Sequence, residues 1–520
     1  MNMRNSLTLS YLLLFNLFVG AACSKTAKQQ IVEELPANGN TNYYVDALNG
    51  DDKNNGRSKN SPWKTLYNVN IRTYKPGDSI LLKSGSVWES RLVLKGSGVE
   101  NAPVVLSSYG EGAKPHIMGN GKVNQVILLD NVDYWKINNL EISNKTNVIG
   151  NRTGILIQAL QPGEKKHFHI TNNYIHDIMG DYSFEMKGKN TGGIGIIGGP
   201  DTKIDNILIE NNEIGNINRV GIFTNLTDAK KATRGNRPIT NLIIRNNKIH
   251  HCAGDGVIVR YAYRPVISHN IAYENHNAPE NLVDHGVALW CRSTDEALFE
   301  YNEVYNTRGS MDGQAFDADL DSYRTIVQYN YSYNNEGGFM LIYGSSSEAI
   351  VRYNISVNDG KKGNHIFDFP VWTNPRGSGI FHNNTIILAE GSSPVIADEA
   401  LESARFYNNI FHNAGNGKLV VKSGGRTALF NNNAYWGYHI TDLTEANPII
   451  NNPLIIAPLT INAGINNTSN FKLDGNSPLL NKGIRVKNIE QQNYWLPDEG
   501  LKDFAGKTIV NYNFMGAFAD

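Results

Sequence analysis

Polar and apolar positions along this chain recur in a short phrase: a pair of small or amide residues, usually ending in Asn, followed by alternating apolar positions. It appears as Asn172-Asn173-Tyr174-Ile175, Asn211-Asn212-Glu213-Ile214, Asn246-Asn247-Lys248-Ile249, His269-Asn270-Ile271, Tyr301-Asn302-Glu303-Val304, Tyr329-Asn330-Tyr331, Tyr353-Asn354-Ile355, Asn383-Asn384-Thr385-Ile386 and Asn408-Asn409-Ile410-Phe411. Counted on the last Asn of each phrase, the steps are 39, 35, 23, 32, 28, 24, 30 and 25 residues, a floor near 23 padded by insertions. Period-two alternation without sustained helical spacing excludes helical repeats. The floor is too short for a propeller blade, which takes roughly 40 or more residues.

The pattern predicts an all-β fold: a right-handed, single-stranded parallel β-helix with an N-terminal cap and a C-terminal closing segment. Identical turn positions then stack at the inter-strand spacing. An Asn there tolerates left-handed backbone geometry and offers its amide to the next Asn in the stack. Aligning coils on Gly221, Gly256, Gly286, Gly313 and Gly338 places Val257, Val259, Val287, Leu289, Gln314, Phe316, Phe339 and Leu341 inward. The outward set is Phe223, Asn225, Ile258, Arg260, Ala262, Ala288, Trp290, Arg292, Ala315, Asp317, Asp319, Met340 and Ile342. One outward column runs Asn225, Arg260, Trp290, Asp317, and its neighbour stacks Arg292 with Asp319.

Length alone, 520 residues, suits two average domains, but a solenoid grows in one dimension and escapes that count. The net charge of −1 lacks the basic footprint that phosphate backbones demand, so nucleic acid is not an expected partner. At the start, Arg4, the apolar stretch from Leu7 to Val19, and Gly20-Ala21-Ala22-Cys23 form a short export address. It resembles a bacterial lipoprotein lipobox, which implies a signal peptide at 1–22, lipidation of Cys23, and a location in the cell envelope, at the outer surface or in the periplasm. Ordinary cleavage after Ala22 is the alternative. Residues 23–42 read as a flexible tether, 43–450 as the β-helix with its cap, and 451–520 as the closing segment. Cys252 and Cys291 fall at different positions along their coils and are expected to be buried free thiols.

The outward columns hold the candidate chemistry. Trp290 offers an apolar face to a sugar ring, Arg260 and Arg292 fork onto carboxylates, and paired acids move protons. Asp317 and Asp319, two apart on one strand, share a face about 6.6 Å apart, at the lower edge of an inverting glycosidase pair. Asp255, Asp284 with His285, Asp312 and Glu336 precede successive strands, at roughly 4.8 Å intervals if the coils are adjacent. Asp312 is a weak Ca²⁺ candidate through its oxygens. Glu336 is a candidate proton donor, His285 positions a carboxylate or a sugar hydroxyl, and Asn225 completes the binding column. Asp255 reads as a turn residue. A salt-bridged sheet face is the competing explanation for the arginines and aspartates. Insertions at 180–190, 228–238 and 274–285 are expected to wall the face, the basic run from Lys230 to Arg237 steering an acidic polymer.

The opening, Tyr43-Tyr44-Val45-Asp46 through Ser61-Pro62-Trp63-Lys64-Thr65-Leu66, resembles that of extracytoplasmic β-helix proteins of the pectate-lyase-like superfamily. So do the ending motifs Ser477-Pro478-Leu479-Leu480-Asn481-Lys482-Gly483 and Met515-Gly516-Ala517-Phe518. The stretch from Asp312 to Tyr343 is similar to the matching region of their polysaccharide lyases and glycoside hydrolases. The lyases place a proton-abstracting lysine after an Asp-Gly opening. Here Phe316, Asp317, Ala318 and Asp319 stand there instead, leaving Arg260 or Arg292 as the base of a lyase. The resemblance therefore implies first a monomeric glycoside hydrolase degrading a polysaccharide or oligosaccharide, touching the membrane only through its lipid. Asp317 would be base or nucleophile and Asp319 or Glu336 the acid, with no required cofactor. A uronate-specific lyase using Ca²⁺ and a noncatalytic glycan-binding surface lipoprotein stay open.

Overall fold

The computed structural model describes residues 39–181, 189–278, 285–309, 312–360, 365–370, 377–388, 404–413, 429–437, 445, 447–486 and 501–519, with 395–398 as backbone. The expected signal peptide, Cys23, most of the tether and Asp284 lie outside the described residues.

From residue 39 onward the chain winds through three sheets, of 15, 13 and 12 strands among the described residues, whose strand-to-strand pairings are parallel. Each coil gives one strand to each sheet. One coil, for example, runs Leu289–Arg292 in the third sheet, Leu298–Glu300 in the first and Glu303–Tyr305 in the second. This is the right-handed parallel β-helix expected. The strands form where the sequence alternates. In Thr202–Glu210, Ile204, Ile207 and Ile209 are buried and the left-handed Asn206 resets the alternation between them. Asn211, also left-handed, then ends the strand.

The Asn phrase is a continuous ladder. The amide Nδ2 of each Asn donates to the Oδ1 of the next through Asn173, Asn212, Asn247, Asn270, Asn302, Asn330, Asn354, Asn384, Asn409 and Asn433, at 2.9–3.0 Å per rung. Glu445 Oε1 ends it by accepting the Asn433 backbone N–H at 2.6 Å. The left-handed residue is not the ladder Asn, as expected, but its predecessor: Asn172, Asn211, Asn246, His269, Tyr301, Tyr329, Tyr353, Asn383 and Asn408 all have φ of 53–58°. The ladder Asn instead faces the lumen, where burial makes its hydrogen bonds count. Rings at those turns offset the cost of a bulky residue in this region by stacking, His269 on Tyr301 and Tyr301 on Tyr329, each at 5.0 Å.

The cap forms as read. Asn42–Val45 pairs with Ser79–Lys83, Trp63 stacks on Tyr43 at 5.3 Å, and the short helix Tyr67–Ile71 follows. Gly56 has φ of 71° against the Trp63 ring, where a Cβ would lie 2.4 Å from a ring carbon, so only glycine fits. Toward the C-terminus, Phe471, Leu479, Phe504, Met515 and Phe518 pack with Tyr331, Tyr333, Ile355 and Ile410 on the outside of the second sheet. This segment runs along the flank, with Gly464 N–H on Glu303 at 2.9 Å and Gly516 N–H on the Asn408 carbonyl at 2.9 Å. Cys252 and Cys291 are buried free thiols, as expected.

Candidate active site

The strands Val257–Arg260, Leu289–Arg292, Gln314–Ala318, Gly338–Ile342 and His365–Asp368 lie side by side in the third sheet. Their register sets Trp290 beside Ile258 and Asp317, Asp317 beside Leu341, and Leu341 beside Asp368. Arg260 aligns with Arg292. Trp290 therefore stacks in the Ile258 column rather than on Arg260, while its pairing with Asp317 stands as read.

Inward and outward positions also need correction. Ala288, Ala315, Met340 and Ile342, expected outside, belong to the core, whereas Val287, Gln314 and Leu341, expected inside, line the outer pocket. The cause is local: Ala288 with Leu289, Ala315 with Phe316, and Phe339 with Met340 are adjacent residues that both enter the core. A period-two count carried across such a pair slips by one.

The pocket brings together Arg260, His285, Trp290, Arg292, Asp312, Asp317 and Asp319. It does not bring in Asn225, whose amide reaches Asn190 at 3.3 Å, or Glu336, whose carboxylate accepts the Gly309 N–H at 3.0 Å. Glu336 is thus part of a turn and not of the acid set. Residues that sequence reasoning did not assign here are Lys189, Gln314, Tyr343, His365 and Asp368, and Asp255 is more than a turn residue.

Asp255 is the buried anchor of the wall. Its Oδ1 accepts the Trp290 indole N–H at 2.8 Å and the Val287 N–H at 3.1 Å, and Lys189 Nζ lies 2.9 Å from Oδ2. Burial pushes its pKa up, but the charges of Lys189 and Arg219 and these hydrogen bonds outweigh that and hold it below the ordinary carboxylate range. Trp290 is 5% exposed, with Lys189 Nζ 5.0 Å from the ring centroid and the Arg260 guanidinium 5.5 Å away. It is a clamped wall residue rather than an open stacking platform.

The three acids differ in environment. Asp317 is buried and its Oδ1 has no hydrogen-bond partner among the described residues. Burial first, then the negative charges of Asp319, Asp312 and Asp368, push its pKa well above the ordinary value. Asp312 is raised too, by burial, against the opposing influence of His285 at 3.3 Å. The contact described at Asp312 is that imidazole, unlike the all-oxygen cage favoured by Ca²⁺. Its side chain stays 18% exposed. Asp319 faces Arg292 at 3.6 Å and accepts the Leu320 N–H at 2.6 Å.

The basic loop is structural at Arg237, while Lys230 and Lys231 stay exposed. Arg237, fully buried, pairs with Asp295 at 3.0 Å and Asp321 at 2.9 Å, Lys231 bonds Asp201, and Arg234 lies over the Tyr323 ring at 4.4 Å.

Residues 125–369 match the family model described as "Right handed beta helix region". A lacto-N-biosidase of Bifidobacterium longum subsp. longum is 29% identical over 82% of this chain. That match covers 32% of the relative, so the chain spans about a third of the length of the curated relative it matches. Among solved structures, the GH136 lacto-N-biosidase of Eubacterium ramulus, as its selenomethionine derivative, superposes with a TM-score of 0.61 and 26% identity. It covers 72% of this chain and 67% of that one. The native form of the same enzyme gives 0.56 and 27%, covering 67% and 64%. Sequence match and backbone agree: the chain is a right-handed parallel β-helix similar to these biosidases over most of its length.

Proposed function

We propose that this protein is a glycoside hydrolase whose reaction takes place in the third-sheet pocket. The observation that carries the reading is the convergence there of Asp312, Asp317 and Asp319 in unequal environments. Glycoside hydrolysis needs one carboxyl that holds its proton near neutrality and one that remains a carboxylate. Asp312, raised yet still reachable from solvent, donates the proton to the leaving oxygen. Asp319, beside Arg292, acts as the carboxylate that activates water or attacks the anomeric carbon. Asp317 is too enclosed to serve as the base or nucleophile expected of it. Its raised pKa disfavours a further negative charge in the site.

Arg260, Arg292, His285 and Gln314 supply hydrogen bonds to sugar hydroxyl or acyl oxygens, against the wall fixed by Trp290 and Asp255. The relatives' names favour an oligosaccharide of the lacto-N type over a long polysaccharide as substrate. The lyase reading is weaker. The lysine brought to the pocket, Lys189, is tied to buried Asp255 and is poorly placed as a free base. The reading needs no cofactor, and Ca²⁺ stays outside it.

Asp319→Asn and Asp312→Asn should each lower turnover about 10²–10⁴-fold with folding intact, and Asp312→Asn should flatten the alkaline limb of the pH–rate profile. That limb exists because a donor of raised pKa loses its proton as pH climbs through that value. Wild-type turnover in both variants rejects the assignment.

For location we carry forward the envelope reading of the leader, with Cys23 lipidated on a monomeric protein. Among the described residues no helix is long and apolar enough to cross a membrane. Cys23→Ala should move the protein from the membrane fraction to the soluble fraction, and an unchanged distribution rejects the anchor.

A further inference from the structure

On the second sheet, away from the pocket, the outward side chains of three successive coils meet. His116 (strand His116–Met118), Glu141 (Glu141–Asn144) and His176 (Tyr174–Ile178) lie on neighbouring parallel strands, with Glu141 directly beside His116 and Ser143 beside His176. Glu141 Oε1 is 3.4 Å from His116 Nδ1 and 3.1 Å from His176 Nε2. One ligand atom from each residue lies within 4.8 Å of the other two, the one such His/Cys/Asp/Glu group found among the described residues.

We propose that His116 Nδ1, Glu141 Oε1 and His176 Nε2 bind a Zn²⁺-like divalent ion that staples these three coils. The first argument is hydrogen-bond arithmetic. His176 Nε2 faces Glu141 while its Nδ1 faces Asp177 at 2.9 Å, so both ring nitrogens meet carboxylate oxygens. A neutral imidazole has one N–H and satisfies one of them, so the second contact calls for another positive centre, a proton or a metal ion. With Nδ1–H donated to Asp177, the Nε2 lone pair points at a carboxylate oxygen, an arrangement that a cation between the two makes favourable. The carboxylate behind the imidazole is also what orients metal-binding histidines and raises their basicity.

The second argument is spacing. Tetrahedral zinc with bonds near 2.0–2.1 Å sets its ligand atoms about 3.3 Å apart, which the contacts of 3.1 and 3.4 Å already match. His116 keeps Nε2 on Ser143 Oγ at 2.8 Å, leaving Nδ1 toward the site. Tyr174 stacks on His176 with centroids 4.2 Å apart and holds the ring in place. Side-chain exposures of 17%, 26% and 14% leave room for water as the fourth ligand. Two nitrogen donors and one carboxylate suit zinc, cobalt or nickel and not Ca²⁺ or Mg²⁺.

The test titrates the purified full-length chain, stripped with chelator, with ZnCl₂ by calorimetry and with CoCl₂ by visible absorption. The expected result is one strong site per chain, Co²⁺ bands of low-coordinate type, and a Zn²⁺-dependent rise in melting temperature that excess Ca²⁺ does not reproduce. Glu141→Gln and His116→Asn should weaken binding at least tenfold and abolish the thermal shift, while Asp177→Asn weakens it about tenfold. Circular dichroism identifies any variant that fails to fold, and a folded one of the first pair suffices. Absence of a strong site in the wild type, or wild-type affinity in a folded Glu141→Gln or His116→Asn protein, overturns the proposal.

Discussion

At Asp317 a carboxyl has left water without gaining a cation in contact, and Asp319, Asp312 and Asp368 add their negative charges to its surroundings. Its folded pKa therefore lies above its unfolded one. The native state binds the extra proton, so this group lowers stability progressively as pH rises from the ordinary carboxylate range toward the raised value. Asp317→Asn keeps the shape and removes the titration. The variant should melt at higher temperature than wild type at pH 7–8, and the gap should close when both are scanned below about pH 4. A gap that widens on acidification contradicts the account. Arg237 makes the opposite case, a charge that has lost water but is well paired. Replacing it with Ala strands Asp295 and should cost about 3–5 kcal/mol, read as a lower midpoint in urea.

At the scale of the element, the ladder shows what a single residue per coil can do. Asn302 donates to the Ile267 carbonyl and to Asn330 Oδ1, and its own Oδ1 accepts the Asn270 backbone N–H and side-chain amide. Asn302→Ala orphans buried groups on both neighbouring coils and should cost about 3 kcal/mol, since each unsatisfied group carries a penalty of roughly 1–3 kcal/mol. The ladder was legible in the sequence because one residue type recurs at one turn. The face of each strand was less so. Alternation placed Trp290, Asp317 and Asp319 correctly but misplaced Val287 and Gln314, which precede a pair of adjacent core residues, and Leu341, which follows one. A pair of adjacent lumen residues leaves no mark in a hydropathy pattern when one of the pair is a small residue such as Ala288 or Ala315.

Across the whole molecule, the pocket gathers residues from distant parts of the chain, and this is where sequence reasoning ran short. Lys189 comes from the insertion at 180–190 and reaches Asp255 and the His285 carbonyl. Insertions were read as walls, yet no periodic signal says which of their side chains turns inward. Asp368 was discoverable, since it sits two coils after Asp317 in the same column, but the glycine alignment ended at Gly338. Glu336 and Asn225 failed for the converse reason: both stand at coil positions close to the columns, and their side chains are taken by Gly309 and Asn190. The cation cluster at His116, Glu141 and His176 escaped as well, because 25 and 35 residues separate its members and only the coil period aligns them.

The central claim is that this pocket hydrolyses a glycosidic bond, and the most direct measurement is isotopic. Wild type and Asp319→Asn are incubated with lacto-N-type oligosaccharides in ¹⁸O-labelled water, quenched early, and the products weighed by mass spectrometry. The account predicts a new reducing end carrying one ¹⁸O with the wild type and almost none with the variant. Products lacking the label and absorbing in the ultraviolet as unsaturated sugars, or label incorporated equally by Asp319→Asn, contradict it.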